Sequence, residues 1–275
     1  MTYPIKKITM VLLASLLSIC VMAQGEVKIF AQNKNPGYVL YAGNVAFCPV
    51  SIFLELDLEN LRFTGSTKKA IVVPARTDSF RIGELEIIDT RARNKYGFRS
   101  KFQIGDLSLQ TADTSYVYDL PFAPGKNFML FQGYNGNFSH QNEKALDFTM
   151  PEGTEIFAAR DGVVVRVIQE NNQSCATEDC KKYNNAVTLY HADGSFTTYA
   201  HIRYNGSKVK VGDLVKKGSA IAYSGNTGWS SGPHLHFMSY LPGLEKPRTL
   251  ATKFRIGDGS IVGYLKEKQL YMKGY

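Results

Sequence analysis

Apolar and polar positions alternate in short runs along most of this 275-residue chain, and no stretch past the leader sustains a helical period. Runs of this kind, rich in β-branched and aromatic residues and bounded by turn residues, predict strands. Between Glu26 and about Phe122 they fall at residues 37–41, 45–54, 69–74 and 83–88. Asn35-Pro36 precedes the first run, Gly43-Asn44 follows it, and the polar stretch 91–95 follows the last. Several short strands over about a hundred residues suggest a small β-sandwich. Its polar side chains form no convergent cluster, so a binding or spacer module is expected. Residues 120–125, LPFAPG, read as a boundary. Beyond it strands are expected at 145–148, 156–159, 162–168, 186–191 and 195–200, with a hairpin at Asp193-Gly194. Residues 169–185 form a polar insertion, and 255–275 suggest one or two closing strands or a tail. The expected fold class is all-β.

The first residues differ from this pattern. Lys6 and Lys7 precede an almost unbroken apolar run from Ile8 to Val21, followed by Met22, Ala23 and polar sequence. The run is short for a spanning helix and fits a cleaved export signal over residues 1–23. A lipoprotein signal ending at Cys20 and an uncleaved anchor are the alternatives. No later stretch is long and apolar enough to span a bilayer, so no transmembrane segment is expected after signal removal.

Export changes the reading of charge and cysteine. The formal charge is +8, of which Lys6 and Lys7 contribute two. In an exported protein the nearby polyanions are cell-wall polymers and lipid head groups, and no basic stripe interleaved with aromatics argues for nucleic acid. Cys48, Cys175 and Cys180 remain after the leader. Cys175 and Cys180 close a short polar loop and are expected to pair in an oxidising compartment. Cys48 lies in an apolar run and reads as a buried thiol.

The chemistry centres on histidine. The chain has five, and two lie in Pro233-His234-Leu235-His236-Phe237. In a strand His234 and His236 project from one face while Leu235 and Phe237 face the packed side. Spacing alone leaves open a surface pair, a metal site or a catalytic pair. Catalytic zinc takes three nitrogen or oxygen ligands and keeps a fourth position for water. The groups available are His140, Asp147, His201, His234 and His236. Asp147 sits between apolar neighbours in Lys144-Ala-Leu-Asp-Phe, where a buried carboxylate needs a partner; a salt bridge would also satisfy it. His201 ends a predicted strand. His191 precedes the Asp193-Gly194 turn and reads as exposed or structural.

Six motifs occur in a fixed order: QGYNGNFSH ending at His140, ALDF around Asp147, PEGTEIFAARDGVV from Pro151, LYHADGSFTTYAH ending at His201, VKVGDLVKKGSAIAYSGNTG from Val209, and GPHLHF from Gly232. From about Phe131 to Tyr240 the chain resembles the M23 family of zinc metallopeptidases, the lysostaphin-like and LytM-like endopeptidases. The resemblance implies a mainly antiparallel sheet forming a narrow groove. It implies one Zn2+ held by His140, Asp147 and His236, with His201 and His234 as the catalytic pair. No HExxH glutamate is present, so a histidine must serve as the base. Trp229 and the Cys175–Cys180 loop are expected to help wall the groove. The commonest first motif is HxxxD; here six residues separate His140 from Asp147, and Glu143 in that loop is a spare carboxylate.

The implied substrate is the peptide part of peptidoglycan, with D,D-endopeptidase action on diaminopimelate cross-links favoured over glycine bridges. The implied location is the periplasm or cell envelope, or outside the cell. The expected division is a signal peptide at 1–23, a β-rich accessory domain at 24–124, the M23-like domain at 125–250 and closing strands or a tail at 251–275. A catalytically inactive M23-like module that binds or activates a wall hydrolase is the main alternative, and a β-rich adhesion or carbohydrate-binding protein is a third reading.

Overall fold

Period-two alternation gives each strand a wet and a dry side, and the dry sides decide how the sheets assemble. A computed structural model describes residues 27–275; the expected export signal lies outside them. In the first hundred residues Tyr38–Asn44 pairs with Val27–Asn33 on one edge and Thr77–Ile87 on the other, and Leu61–Phe63 completes a four-stranded sheet. Val50–Glu59 pairs with Ile71–Val73 and Lys95–Ile104 in a second, three-stranded sheet. Leu40, Leu61 and Leu85 of the first sheet meet Leu54 of the second, and Ala42 meets Val50, Ile52 and Val73. The result is a seven-stranded sandwich.

Several details differ from the sequence reading; Val27–Asn33 and Leu61–Phe63 are strands it did not expect, and two further differences have a clear cause. Residues 45–49 are a turn rather than the start of a strand. The buried Asn44 amide donates to the carbonyls of Cys48, Val73 and Pro74, while its Oδ1 accepts from Ala46 N–H. These bonds wrap the chain around Asn44, so pairing begins at Val50. The strand Lys95–Ile104 was not expected at all. Its aromatic alternation, Tyr96, Phe98 and Phe102, is interleaved with charge and mostly exposed, yet it pairs along the whole of Val50–Glu59.

The second half builds a nine-stranded sheet. Its central strand, His234–Leu241, lies between Phe196–Ala200 and Ala145–Thr149. Outward from Phe196–Ala200 come Ala186–Tyr190, Gly162–Ile168 and Leu214–Val215; outward from Ala145–Thr149 come Asn127–Gln132 and Gln269–Met272. On one face Val187, Tyr199, Leu235, Phe237, Leu146 and Phe148 form the main core with Ile202, Ile221 and Ala222 of a smaller sheet. The chain's later and earlier segments also enter this core: Phe254, Leu265 and Tyr271 from beyond residue 250, and Tyr118, Leu120 and Phe122 from the stretch that follows the sandwich. The expected polar insertion at 169–185 holds a short 3-10 helix, Glu178–Tyr183. Among the described residues no helix is long and apolar enough to cross a membrane.

The opposite face of the large sheet does two things. At one end it presents Asp147 and His236, which are register partners. Four residues along the same strand, Tyr240 stacks on Phe196 at 5.4 Å. There, with Tyr190, Val163 and Val165, these rings receive Phe47, Cys48 and Ile104 of the sandwich. Gly105 has φ +93° and approaches so closely that a Cβ would lie 2.7 Å from Pro242 and 2.9 Å from Phe196. The sandwich therefore docks on the sheet face that carries His236. Cys48 is an unpaired thiol at the heart of this contact, and burial pushes its pKa up to about 12.

His191 is structural. It is 1% exposed; Nδ1–H donates to Asp161 O at 2.7 Å, and Nε2 lies 2.9 Å from the Thr197 hydroxyl. Burial pulls its pKa down to about 4. The unfolded chain, with an ordinary histidine near 6.5, binds the proton more readily between those values. Stability from this residue is thus complete above pH 6.5 and is lost as pH falls towards 4. At pH 5 the loss amounts to roughly 2 kcal/mol. Urea unfolding at pH 7.5 and pH 5 should show this slope in the wild type and a shallower one in His191→Gln; equal slopes would refute it.

Candidate active site

Asp147 is placed by register. It lies mid-strand opposite His236, and both project from the same face. The two meet directly, His236 Nδ1 to Asp147 Oδ1 at 2.9 Å. His140 arrives from the loop between Asn127–Gln132 and Ala145–Thr149. Its Nδ1–H donates to Gly133 O at 3.0 Å, which turns Nε2 inward, 3.2 Å from Asp147 Oδ2 and 3.3 Å from His236 Nδ1. The longer His140–Asp147 spacing is absorbed by turns. Asn135 N–H donates to Glu143 O and Glu143 N–H to His140 O, with Asn135 and Asn142 in the left-handed region that asparagine tolerates. The buried Gln132 ties the loop to the strand. Its Oε1 accepts from Phe138 and Ser139 N–H, and its Nε2 donates to Ser139 Oγ and Asp147 Oδ2.

His140, Asp147 and His236 form a cluster able to hold a metal ion, with ligand atoms within 4.8 Å of one another. Zinc held tetrahedrally at about 2.0–2.1 Å needs donors about 3.3 Å apart. His140 Nε2 lies close to that distance from both partners, 3.2 Å from Asp147 Oδ2 and 3.3 Å from His236 Nδ1, while His236 Nδ1 meets the other carboxylate oxygen, Oδ1, at 2.9 Å. Two imidazole nitrogens and a carboxylate oxygen are also a donor set zinc accepts, and the Gly133 carbonyl on His140 Nδ1 is the outer partner such a ligand needs. Burial alone would raise the pKa of Asp147, but hydrogen bonds from His140 and His236 outweigh it and hold the carboxyl well below the usual range. Glu143 lines the groove outside the cluster.

His201 and His234 sit beside these three. Their rings are 4.4 Å apart, His201 is 5.8 Å from the His236 ring, and His234 Nε2 is 3.9 Å from Asp147 Oδ1. His201 Nδ1 lies 2.6 Å from Thr227 O, and His234 Nδ1 lies 2.8 Å from Gly232 O. A carbonyl can only accept, so in each neutral ring Nδ1 carries the hydrogen and Nε2 keeps its lone pair. Burial, reinforced by the neighbouring imidazoles, pulls His201 down to about 3, and burial also lowers His234. Both rings are neutral at neutral pH.

The five residues line a cavity of about 540 Å³. Phe131, Phe138 and Trp229 supply aromatic surface to it, and Lys181 is its one lysine or arginine among the described residues. The Cys175–Cys180 disulfide is formed, and Trp229 Nε1–H donates to Ala176 O inside the loop it closes. The structure thus brings together His140, Asp147, His201, His234 and His236, and leaves His191 apart. Sequence reasoning missed Gln132, Thr227 and Ser230. Gln132 and Thr227 lie in the quoted motifs and Ser230 between two of them, but a polar residue there signals nothing until the loop is folded.

A family model described as peptidase family M23 matches residues 141–245. This region, residues 141–245, is similar to M23 peptidases. An uncharacterized metalloprotease of Buchnera aphidicola is 35% identical over 180 residues, covering 60% of this chain and 42% of the relative. The peptidoglycan DD-endopeptidase ShyC of Vibrio cholerae is 35% identical over 109 residues, covering 39% and 22%. The glycyl-glycine endopeptidase ALE-1 of Staphylococcus capitis is 37% identical over 107 residues, covering 38% and 25%. The chain spans less than half the length of these curated relatives. The M23 match includes Asp147, His201, His234 and His236; it begins one residue after His140, which geometry brings into the cluster. Relatives named for two different bonds match the M23 region about equally well, so likeness alone does not choose between them.

Proposed function

We propose that this chain is an exported zinc endopeptidase that cuts the peptide cross-links of peptidoglycan as a D,D-endopeptidase. One observation carries the reading: three metal-binding side chains and two neutral, tautomer-fixed histidines converge in one groove. His140, Asp147 and His236 are the zinc ligands, and His201 and His234 the catalytic pair. The leader at 1–23 directs export to the periplasm or envelope. Residues 24–124 act as an accessory domain and 125–250 as the peptidase, with 251–275 closing its sheet.

When bound, zinc acidifies a water and polarises the scissile carbonyl. The protein's own part is to move protons. A free Nε2 of His201 or His234 takes the proton of the attacking water and later delivers it to the leaving amine. The Nδ1–H bonds to Thr227 O and Gly232 O hold each ring in the tautomer that can do so. To donate to the carbonyl oxygen as negative charge develops there, the second imidazole must first take a proton from solvent on its Nε2, because its Nδ1–H is held by a backbone carbonyl. The choice of bond rests on charge. A diaminopimelate cross-link carries a free carboxylate beside the scissile amide, whereas a glycine bridge does not. Lys181, which lines the groove and would have to share its ammonium with Glu178, suits the former.

The test is digestion of purified peptidoglycan sacculi by the zinc-loaded protein, with separation of the released muropeptides. Cross-linked dimers should fall to monomers, with His234→Ala inactive although it retains zinc. A wild type that binds one zinc and leaves dimers intact would favour the inactive binding module instead.

A further inference from the structure

The polar insertion between Gly162–Ile168 and Ala186–Tyr190 is far longer than two antiparallel neighbours need. Its backbone serves the adjacent loop instead. Ser174 and Cys175 pair in parallel with Gly228 and Trp229. Gly228 N–H donates to Gln173 O at 2.8 Å, Ser230 N–H to Cys175 O at 3.0 Å, and Trp229 Nε1–H to Ala176 O at 3.0 Å. That loop carries the two carbonyls, Thr227 O and Gly232 O, that receive the Nδ1 hydrogens of His201 and His234. Ser230 Oγ lies 3.2 Å from His234 Nδ1 and donates to Asn226 Oδ1 at 2.6 Å. The far end of the insertion reaches the other histidine, because Asn184 Oδ1 accepts from His201 N–H. Gly228, with φ +80°, packs so tightly on Asn184 that a Cβ would lie 2.7 Å from its Cα.

At the base of the insertion the Asn185 side chain bonds to Asn171, and Lys181 lies over the Trp229 ring; between these the chain has few other ties. The insertion's only helix is the six-residue 3-10 segment Glu178–Tyr183, too short to be stable alone, and Cys180 is the one buried residue in that helix. We infer that the Cys175–Cys180 cross-link is a positioning element: it holds residues 173–176 against the 226–232 loop and so fixes the ring orientation and tautomer of His201 and His234. The inference rests on the proposed catalytic role of those two histidines. The zinc ligands lie elsewhere, on Ala145–Thr149, His234–Leu241 and the loop ending at Lys144, so metal binding is not expected to depend on the cross-link.

The experiment compares the wild type, the wild type reduced with a phosphine, and Cys175→Ser/Cys180→Ser. Zinc content, steady-state kinetics on cross-linked muropeptides and 15N shifts of the imidazole nitrogens are read for each. One zinc per chain should remain in all three. Loss of the cross-link should lower kcat by about 10- to 100-fold, the scale of small misplacements of reacting groups. The distinct protonated Nδ1 signals of His201 and His234 should collapse towards averaged shifts. Reduction of folded wild type keeps the test decisive if the double variant does not fold. Unchanged kcat and unchanged 15N shifts without the cross-link would overturn the inference. If even the wild type cuts nothing, the peptidase reading fails, and the 15N shifts still decide the positioning role.

Discussion

His236→Ala is expected to lose zinc and activity together. His236 is one of three residues clustered closely enough to hold a metal ion, and no other histidine occupies its place in the sheet. Replacing outer partners of a metal site already costs about 10- to 100-fold in affinity or activity, so removing a ligand should cost more than about 100-fold. The clearest measurement is thermal unfolding with and without zinc. A ligand that binds only the folded state raises its stability by mass action. Zinc should therefore raise the unfolding temperature of the wild type and leave that of His236→Ala unchanged. Without zinc the two proteins should unfold at similar temperatures, because Asp147 keeps His140 and Gln132 as partners. If His236→Ala still binds one zinc per chain, another group has replaced it. Glu143, in the groove beside the cluster, is then the first to substitute by glutamine.

The next residue along, Phe237, is expected to have the largest effect on stability. It is 1% exposed and faces the main core. Its ring meets Tyr199 at 5.4 Å, Phe254 at 5.7 Å and Tyr118 at 6.2 Å. Phe237→Ala should cost about 3–5 kcal/mol, through lost burial and the cavity left behind. Phe237→Leu should cost clearly less, since it refills most of the space. Denaturant titration measures both; a loss below about 1 kcal/mol for the alanine variant would show that the core collapses around the gap or is not built as described. Tyr118 and Phe254 belong to segments on either side of the M23 match, so this variant also tests whether those segments fold as one unit with the sheet.

Alternate residues of one strand thus serve two purposes, and that much is legible in PHLHF. Period two dictates that His234 and His236 share a face and that Leu235 and Phe237 share the other. The same reasoning located several strands of both halves, and the order of six motifs pointed to five residues that the fold brings together in one groove. It failed at Lys95–Ile104, where charge interrupts the apolar alternation and only the partner strand Val50–Glu59 makes the segment a strand. It failed at residues 45–49, where the bonds of a single buried asparagine outweigh the β propensity of the run.

Side-chain period by itself determined many of the strands and the shared face of His234 and His236, and the order of the motifs, through the resemblance they carry, a set of groups able to bind a metal. Tertiary structure alone decided that His140 Nε2 reaches Asp147 despite the long loop, through Gln132 and the Gly133 carbonyl. It alone decided that the sandwich docks on the face bearing His236, and that Thr227 and Gly232 hold the two histidine tautomers. The physical reason is range. Periodicity reports how a residue sits relative to its immediate neighbours, whereas these contacts join loops and sheets far apart in the chain, and their geometry exists only once the core between them has packed.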